Sequence, residues 1–412
     1  MRIDRQHALA LDAADPLREF ADRFLPAPGD VVAYLDGNSL GRPTTAIADR
    51  LDQLVRTEWA GRLIRGWTDR GDGGGENDSG GGGEGWMDLP EAVGDELGAV
   101  CLGAGPGTTV IADSTTVNFY KCVRAAVRLR PDRTRLLTDP AHFPTNRYVL
   151  EGIAGELGLE LVWADGADAV REALDERTAV VALGHVDYRT GAVADLPGLT
   201  TAAHDVGALV VWDLCHSVGV LEPAVESAGV DFAVGCTYKF LGAGPGSPAF
   251  CYVALEHHRF LDQPIWGWLG REDPFEMAQG YVPAPGIRRM ISGTPSVPGI
   301  LAVREAVALA AEAGLPQIRA KAAALGDLAT SVARQRLEPL GLQVVSPADG
   351  ALRGGQVSLA RADARDLCGA LLSRGVITDF RTPDILRLGL SPLPTTFGEV
   401  FDALVLLESL AG

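Results

Sequence analysis

The segment Asp231–Gly246 reads DFAVGCTYKFLGAGPG. An apolar run, Phe232 to Val234, leads into Cys236-Thr237-Tyr238-Lys239, and glycines and prolines crowd the residues that follow, up to Pro248. The pattern places Lys239 at the end of a buried strand, beside closely turning backbone. Lysine is almost never fully buried without a partner. A desolvated amine gives up its proton readily, and can then attack a carbonyl or hold an aldehyde cofactor. The other reading is a strand-end lysine that snorkels to water. The rest of the chain has to decide between them.

Around this stretch, short apolar runs alternate with helical stretches. The runs are TTVIAD, RLLTDP, LELVWAD, AVVALGHV, ALVVWDL, VDFAVGC and AFCYVA, between residues 108 and 254. Such β-α alternation with Val- and Leu-rich strands predicts an α/β fold with a mainly parallel sheet covered on both faces. GAGPG at 103–107 precedes a strand instead of opening a helix, so it gives no dinucleotide fingerprint. The chain turns at Gly293–Gly299, and an alanine-rich helix over Ile300–Ala313 leads away. Residues 316–412 alternate differently and predict a smaller α+β domain. The expected division is an N-terminal segment 1–43 packing on the small domain and the cleft, a large domain 44–300 and a small domain 301–412.

Before the alternation, residues 4–24 predict an amphipathic helix that buries Leu9, Leu17, Phe20 and Phe24. VVAYLDGNSLGRP predicts a strand over Val31–Leu35 running into a polar turn, Asp36 to Pro43, whose small residues allow close backbone approach. A plain domain-entry turn is the alternative. Helices are expected over Thr44–Arg62 and Leu89–Cys101. Between them, the glycine-rich insertion 71–85 has too little apolar surface to order itself, and reads as a flexible surface loop between Trp67 and Trp86.

Composition narrows the function. Of the 412 residues, 47% are hydrophobic and 22% charged, as in a soluble globular protein, and the net charge of −18 argues against nucleic acid or anionic membrane as partner. The basic run Arg130–Arg135 contains a proline and reads as a surface loop. Six cysteines form no CxxC pair and no zinc spacing, so no metal is expected and the thiols read as reduced. The first 20 residues lack a signal-peptide core, and no apolar run nears the ~20 residues of a membrane span. A cytoplasmic protein is expected.

Four features fall at the predicted strand ends, where open α/β sheets bind ligands. Ser114, Thr115 and Thr116 open a helix, which suits phosphate binding or simple capping. His142-Phe143-Pro144-Thr145-Asn146 offers an aromatic ring and small polar groups for a flat heterocycle, or only a packed Phe143. Asp213 follows four apolar residues, with His216 close behind. A buried carboxylate needs a cation, such as a protonated pyridine nitrogen, or backbone amides. Lys239 comes 26 residues later. This order matches pyridoxal 5'-phosphate: the aldehyde on Lys239, the ring nitrogen on Asp213 and the phosphate on a helix N-terminus. Far downstream, Arg387 in LRLGLSPLPTTF offers a fork for a substrate carboxylate, or an ion pair with Asp379 or Glu399.

Taken together, YLDGNSLG, TTVNFYK, HFPTN, DLCHSVG, CTYKFLGAGPG, GWLGRE, GTPS and RLGLSPLPTTF resemble the kynureninase family, in order over residues 31–400. The resemblance implies a pyridoxal-phosphate fold of the aspartate aminotransferase type (fold type I) and a cytoplasmic homodimer whose cofactor site is shared across the interface. The implied reaction is hydrolysis of L-kynurenine to anthranilate and L-alanine, with 3-hydroxykynurenine as the alternative substrate. It further implies that Lys239 anchors the cofactor and shuttles protons. Asp213 would hold the ring nitrogen with His216 close by, and Phe143 would stack on the ring beside Pro144, Thr145 and Asn146. Thr115, Thr116, Tyr238 and Trp268 would bind phosphate, Tyr238 also moving a proton, and Thr294 would reach the phosphate from the neighbouring subunit. Arg387 would bind the substrate carboxylate, with Asn38 and Ser39 also at the substrate. Gly184, Gly293 and Thr294 depart from patterns common among relatives, with Gly293 and Thr294 closer to bacterial members.

Two alternatives share the fold: a cysteine desulfurase or selenocysteine lyase, and a class V aminotransferase. A third is a cofactor-binding protein without catalysis. A desulfurase needs a mobile cysteine on a loop, and the six cysteines sit in apolar contexts. A pure binder has no use for a proton-shuttling Lys239.

Overall fold

Two consecutive runs, Thr178–Gly184 and Leu209–Asp213, are apolar and buried for almost their whole length. Strands covered on one face alternate polar and apolar residues, so these belong inside a sheet clothed on both sides. A computed structural model of the chain, describing residues 3–68 and 85–412, places them at the centre of a seven-stranded sheet. Its strands are β2 (Thr109–Ile111), β3 (Arg135–Thr138), β4 (Glu160–Trp163), β5 (Thr178–Gly184), β6 (Leu209–Asp213), β7 (Phe232–Gly235) and β8 (Phe250–Val253). The order is β2-β8-β7-β6-β5-β3-β4, parallel at every junction except the two made by β8. Alternate residues feed two cores: Val181, Leu183, Val210 and Trp212 face one, Val180, Ala182, Leu209 and Val211 the other.

The helices are α1 (Arg5–Ala14), α2 (Thr45–Gln53), α3 (Ala60–Arg62), α4 (Leu89–Leu97), α5 (Thr115–Arg128), α6 (Pro144–Leu157), α7 (Gly166–Ala173) and α8 (Leu196–Asp205), followed by α9 (Val297–Ala313), α10 (Leu315–Arg336), α11 (Ala364–Leu372) and α12 (Phe397–Ala411). Helices α5 to α8 connect the parallel strands. The last third adds an antiparallel sheet of order β12-β13-β10-β9, made from β9 (Gln343–Val344), β10 (Gln356–Ala360), β12 (Asp379–Arg381) and β13 (Ile385–Gly389). A third core there joins α10, α11 and α12 to this sheet.

The N-terminal segment is tied to that last third. Strand β1 (Ala33–Tyr34) pairs in parallel with β11 (Val376–Ile377). Asp12 accepts the backbone N–H of Phe397 at 2.7 Å and of Gly398 at 2.9 Å, satisfying free donors at the start of α12.

Two expectations need correction, and a third lies largely outside the described residues. The helix over 4–24 stops at Ala14, because Pro16 holds the preceding residue extended, and the chain resumes only as a short 3₁₀ turn over Arg18–Arg23. Leu9 is therefore 37% exposed, while Leu17 is buried. Arg135, expected in a surface loop, opens β3 and is paired with Asp175 and Glu160. The insertion 71–85 lies outside the described residues apart from Gly85; the rings of its flanking Trp67 and Trp86 meet edge to face, with centroids 5.6 Å apart.

Candidate active site

Register aligns the carboxyl ends of the central strands, with Asp213 opposite Gly184 on β5 and Val234 on β7. Asp213 ends β6, Lys239 lies just beyond β7, and the first turns of α5 and α6 supply Thr115, Thr116, Thr145 and Asn146. These residues line one cavity of about 290 Å³ together with Phe143, His216 and Tyr238. Asn38 and Ser39 close it from the N-terminal segment, and Arg387 closes it from β13.

Asp213 is buried and has two donors. Asn146 Nδ2 donates to Oδ2 at 2.7 Å, and the Cys215 backbone N–H donates to Oδ1 at 2.8 Å. A backbone amide thus accounts for only one of its bonds. His142 Nε2 lies 4.0 Å from Oδ2. Burial lowers the His142 pKa to about 4, so its imidazole is neutral near pH 7.

Lys239 is half-buried, with Nζ 3.2 Å from His216 Nε2 and 5.7 Å from the centroid of the Phe143 ring. Burial, and then the charge on Lys239, push the His216 imidazolium well below its ordinary range. His216 is therefore a neutral imidazole facing the amine. Burial also pushes the Tyr238 hydroxyl up, aided by the neighbouring Cys236, and keeps it protonated. The backbone here is tight. Gly41 N–H donates to Tyr238 O at 2.8 Å, and a Cβ on Gly41 would stand 2.5 Å from both Lys239 O and Gly242 Cα. Gly242 has φ +78°, so the turn after Lys239 needs its glycine.

Ser114 caps α5 by accepting the Val117 N–H, which leaves the hydroxyl of the exposed Thr116 and that of Thr115 facing the cavity. Phe143, for which packing was the simpler reading, is 37% exposed and meets Tyr188 edge to face at 5.2 Å.

Arg387 is 1% exposed. Its Nε donates to Asp379 Oδ1 at 2.6 Å, Nη2 reaches Asp379 Oδ2, and Nη1 donates to Tyr188 O at 2.5 Å. Glu399, the other partner considered, instead accepts the Thr396 N–H in a capping box. Burial alone would raise the Asp379 carboxyl, but the Arg387 hydrogen bond and the charges of Arg387 and Arg381 outweigh it and hold it below the usual range. Ser39 Oγ donates to Asp379 Oδ2 at 3.0 Å. Burial, reinforced by Asp379, lifts the Asp36 carboxyl to about 6.

Pro144 starts α6 outside the cavity lining. Trp268 and Thr294 are not among the lining residues either; Thr294 borders a separate cavity with Asp113 and Ser292, and Trp268 packs on Phe275. Two lining residues, Cys215 and Arg381, were missed by the sequence reading, and Cys215 carried no signal of its own. For Arg381 a signal existed: TDFRTPDILRLG reads as a hairpin, and its register sets Asp379 opposite Arg387. Among the described residues, no helix is long and apolar enough to cross a membrane.

A half-buried lysine just beyond β7 and a buried aspartate ending β6, beside a helix N-terminus and an aromatic ring, define a pyridoxal-phosphate enzyme fold of the aspartate aminotransferase type. A cysteine desulfurase of Escherichia coli superposes with a TM-score of 0.78 at 19% identity, covering 96% of this chain and 98% of that one. Sequence comparison is more specific. The kynureninase C-terminal domain model matches residues 318–407. A kynureninase of Pseudomonas fluorescens is 39% identical over 98% of this chain and 94% of its own length, and one of Deinococcus radiodurans is 41% identical over 97% and 94%. The chain belongs to the kynureninase family.

Proposed function

We propose that the protein hydrolyses the Cβ–Cγ bond of L-kynurenine, giving anthranilate and L-alanine. The observation that carries this reading is the convergence of Lys239, Asp213 and Arg387 on one cavity, in a chain of this family.

The residues fit pyridoxal 5'-phosphate. Asp213 is a buried carboxylate held by two donors and suited to a protonated ring nitrogen. Phe143 offers an open aromatic face, Thr115 and Thr116 offer hydroxyls at the N-terminus of a 14-residue helix, and Lys239 offers the amine. When bound, the cofactor supplies an aldehyde that takes an amine and a ring that accepts the electron pair left at the substrate Cα. Lys239, the amine lining the cavity, would remove the proton from the substrate Cα. Neutral His216 faces its Nζ at 3.2 Å. Arg387 orients the substrate through its carboxylate, with Asn38 and Ser39 beside it. Water adds to the γ-carbonyl carbon and the Cβ–Cγ bond breaks, its electron pair staying on Cβ. Anthranilate leaves with that carbon as its carboxylate. Tyr238, protonated and at the cavity wall, or Lys239 delivers the proton to Cβ.

The working protein is a cytoplasmic homodimer in tryptophan catabolism along the kynurenine route, which also feeds NAD biosynthesis. Thr294 reaches the phosphate from the neighbouring subunit, and Trp268 joins the same cradle. Exposed apolar side chains such as Trp59, Ile64, Phe260 and Trp266 support a subunit interface. The desulfurase reading finds little support, since five of the six cysteines are buried and Cys368 is held against Thr378. Incubating the loaded protein with L-kynurenine and with L-cysteine separates the two. Alanine formed only from kynurenine is the expected result, and sulfide from cysteine with no anthranilate from kynurenine contradicts it.

A further inference from the structure

Helix α5 carries a lysine that the reaction does not use. Lys121 sits in its second turn and is fully buried. A buried ammonium must find a partner for each of its three donors. Lys121 Nζ donates to Asp113 Oδ2 at 2.6 Å and to the carbonyl of Met290, and Ser292 Oγ lies 3.4 Å away. Ser292 Oγ in turn donates to the same Asp113 oxygen at 3.2 Å.

Both ends of this cluster lead to proposed phosphate donors, Thr115 and Thr116 for this subunit's site and Thr294 for its neighbour's. Asp113 immediately precedes the cap Ser114 and the pair Thr115-Thr116. Its φ is +51°, a left-handed conformation that a non-glycine residue keeps only when its surroundings hold it there. Ser292 immediately precedes Gly293-Thr294, with Met290 two residues before it, and Asp113, Ser292 and Thr294 border one cavity of about 170 Å³. One ammonium group therefore fastens the loop that opens α5 to the segment that carries Thr294. It also neutralises a carboxylate standing next to a helix N-terminus. Unpaired, that carboxylate would repel a phosphate arriving there.

We propose that Lys121 is a positioning residue for the phosphate end of the cofactor site, acting through Asp113 and Ser292. The inference rests on the reading that Thr115 and Thr116 receive the phosphate. It predicts a defect confined to the phosphate, which general damage to the fold would not produce.

The test titrates the cofactor-free protein with pyridoxal 5'-phosphate and with pyridoxal, which has the same aldehyde and no phosphate, following visible absorbance. Lys121→Met is expected to weaken the phosphorylated aldehyde by at least about tenfold and to change pyridoxal by less than about twofold. Ser292→Ala, a milder change, is expected to weaken only the phosphorylated form, by about threefold, and decides the matter alone if Lys121→Met does not fold. Equal losses for both aldehydes, or no loss for either, overturn the proposal. Wild-type protein that binds the two aldehydes equally overturns the Thr115-Thr116 reading first, and this inference with it.

Discussion

Asp379 grips the guanidinium of Arg387 at two points, Nε to Oδ1 at 2.6 Å and Nη2 to Oδ2. The pair joins directly opposed residues of β12 and β13. The arginine that would bind a substrate carboxylate is thus also half of a buried ion pair, and the two readings of Arg387 are not exclusive. Asp379 fixes the plane of the fork, so that a substrate carboxylate bound there would meet a guanidinium already oriented.

That arrangement makes a kinetic prediction. Arg387→Ala removes the proposed substrate anchor and leaves Asp379, among the described residues, with Arg381 as its cationic partner. KM for L-kynurenine should rise by about 30-fold or more, with a smaller fall in kcat. Steady-state kinetics check it, and an unchanged KM contradicts the carboxylate role.

Lys239→Ala should leave the fold intact, because the half-buried Lys239 makes one side-chain hydrogen bond, to His216. The wild-type protein loaded with pyridoxal 5'-phosphate should show a visible absorbance band that the variant lacks, and the variant should lose about 10³-fold or more in kcat. A variant that keeps the band moves the covalent anchor elsewhere.

Much of this site was legible in the sequence for a physical reason. Parallel strands buried on both faces are written as unbroken apolar runs, so the polar residues that end them, Asp213 above all, stand out. The start of α5 is equally visible, through Ser114. Longer-range features were not. Asp12 caps a helix that begins at Phe397, and no local pattern ties residues so far apart in the chain. Phe143 read alone looked like core, because the alternation of its neighbours says nothing about a cavity on one side. Proline was decisive at Pro16, where apolar spacing continued but the helix could not.

The close approach of Gly41 to Lys239 gives a stability prediction. Gly41→Ala forces a Cβ to within 2.5 Å of backbone atoms of Lys239 and Gly242, which cannot yield as a flexible side chain would. A loss of about 1–3 kcal/mol is expected from urea unfolding, with weaker cofactor binding because the displaced backbone carries Lys239. A variant as stable as wild type would show that the segment is free to move.

A second buried cluster sets a pH dependence away from the site. Asp231 accepts His204 Nε2 at 2.8 Å, His257 Nε2 at 2.7 Å and the Val210 N–H at 2.8 Å. Burial opposes its charge, but the bonds from His204 and His257 outweigh burial and hold the Asp231 carboxyl below its usual range. The Asp231 hydrogen bond holds the half-exposed His204 above its own. The Asp231 contribution is present above the unfolded carboxylate range and fades as pH falls through its lowered folded value. The His204 contribution is present below its unfolded range and fades as pH rises through its raised folded value. Asp231→Asn should therefore cost most between about pH 4.5 and 6.5, roughly 2–4 kcal/mol, and less at pH 8. Urea midpoints across pH check it, and a cost that grows steadily up to pH 8 contradicts it.

The central claim is that the cavity around Lys239, Asp213 and Arg387 cleaves the Cβ–Cγ bond of L-kynurenine. Anthranilate fluorescence, followed after L-kynurenine is added to protein loaded with pyridoxal 5'-phosphate, tests it most directly. The account predicts anthranilate and alanine in equal amounts, abolished by Lys239→Ala. No anthranilate from the loaded, visibly absorbing wild-type protein would contradict it.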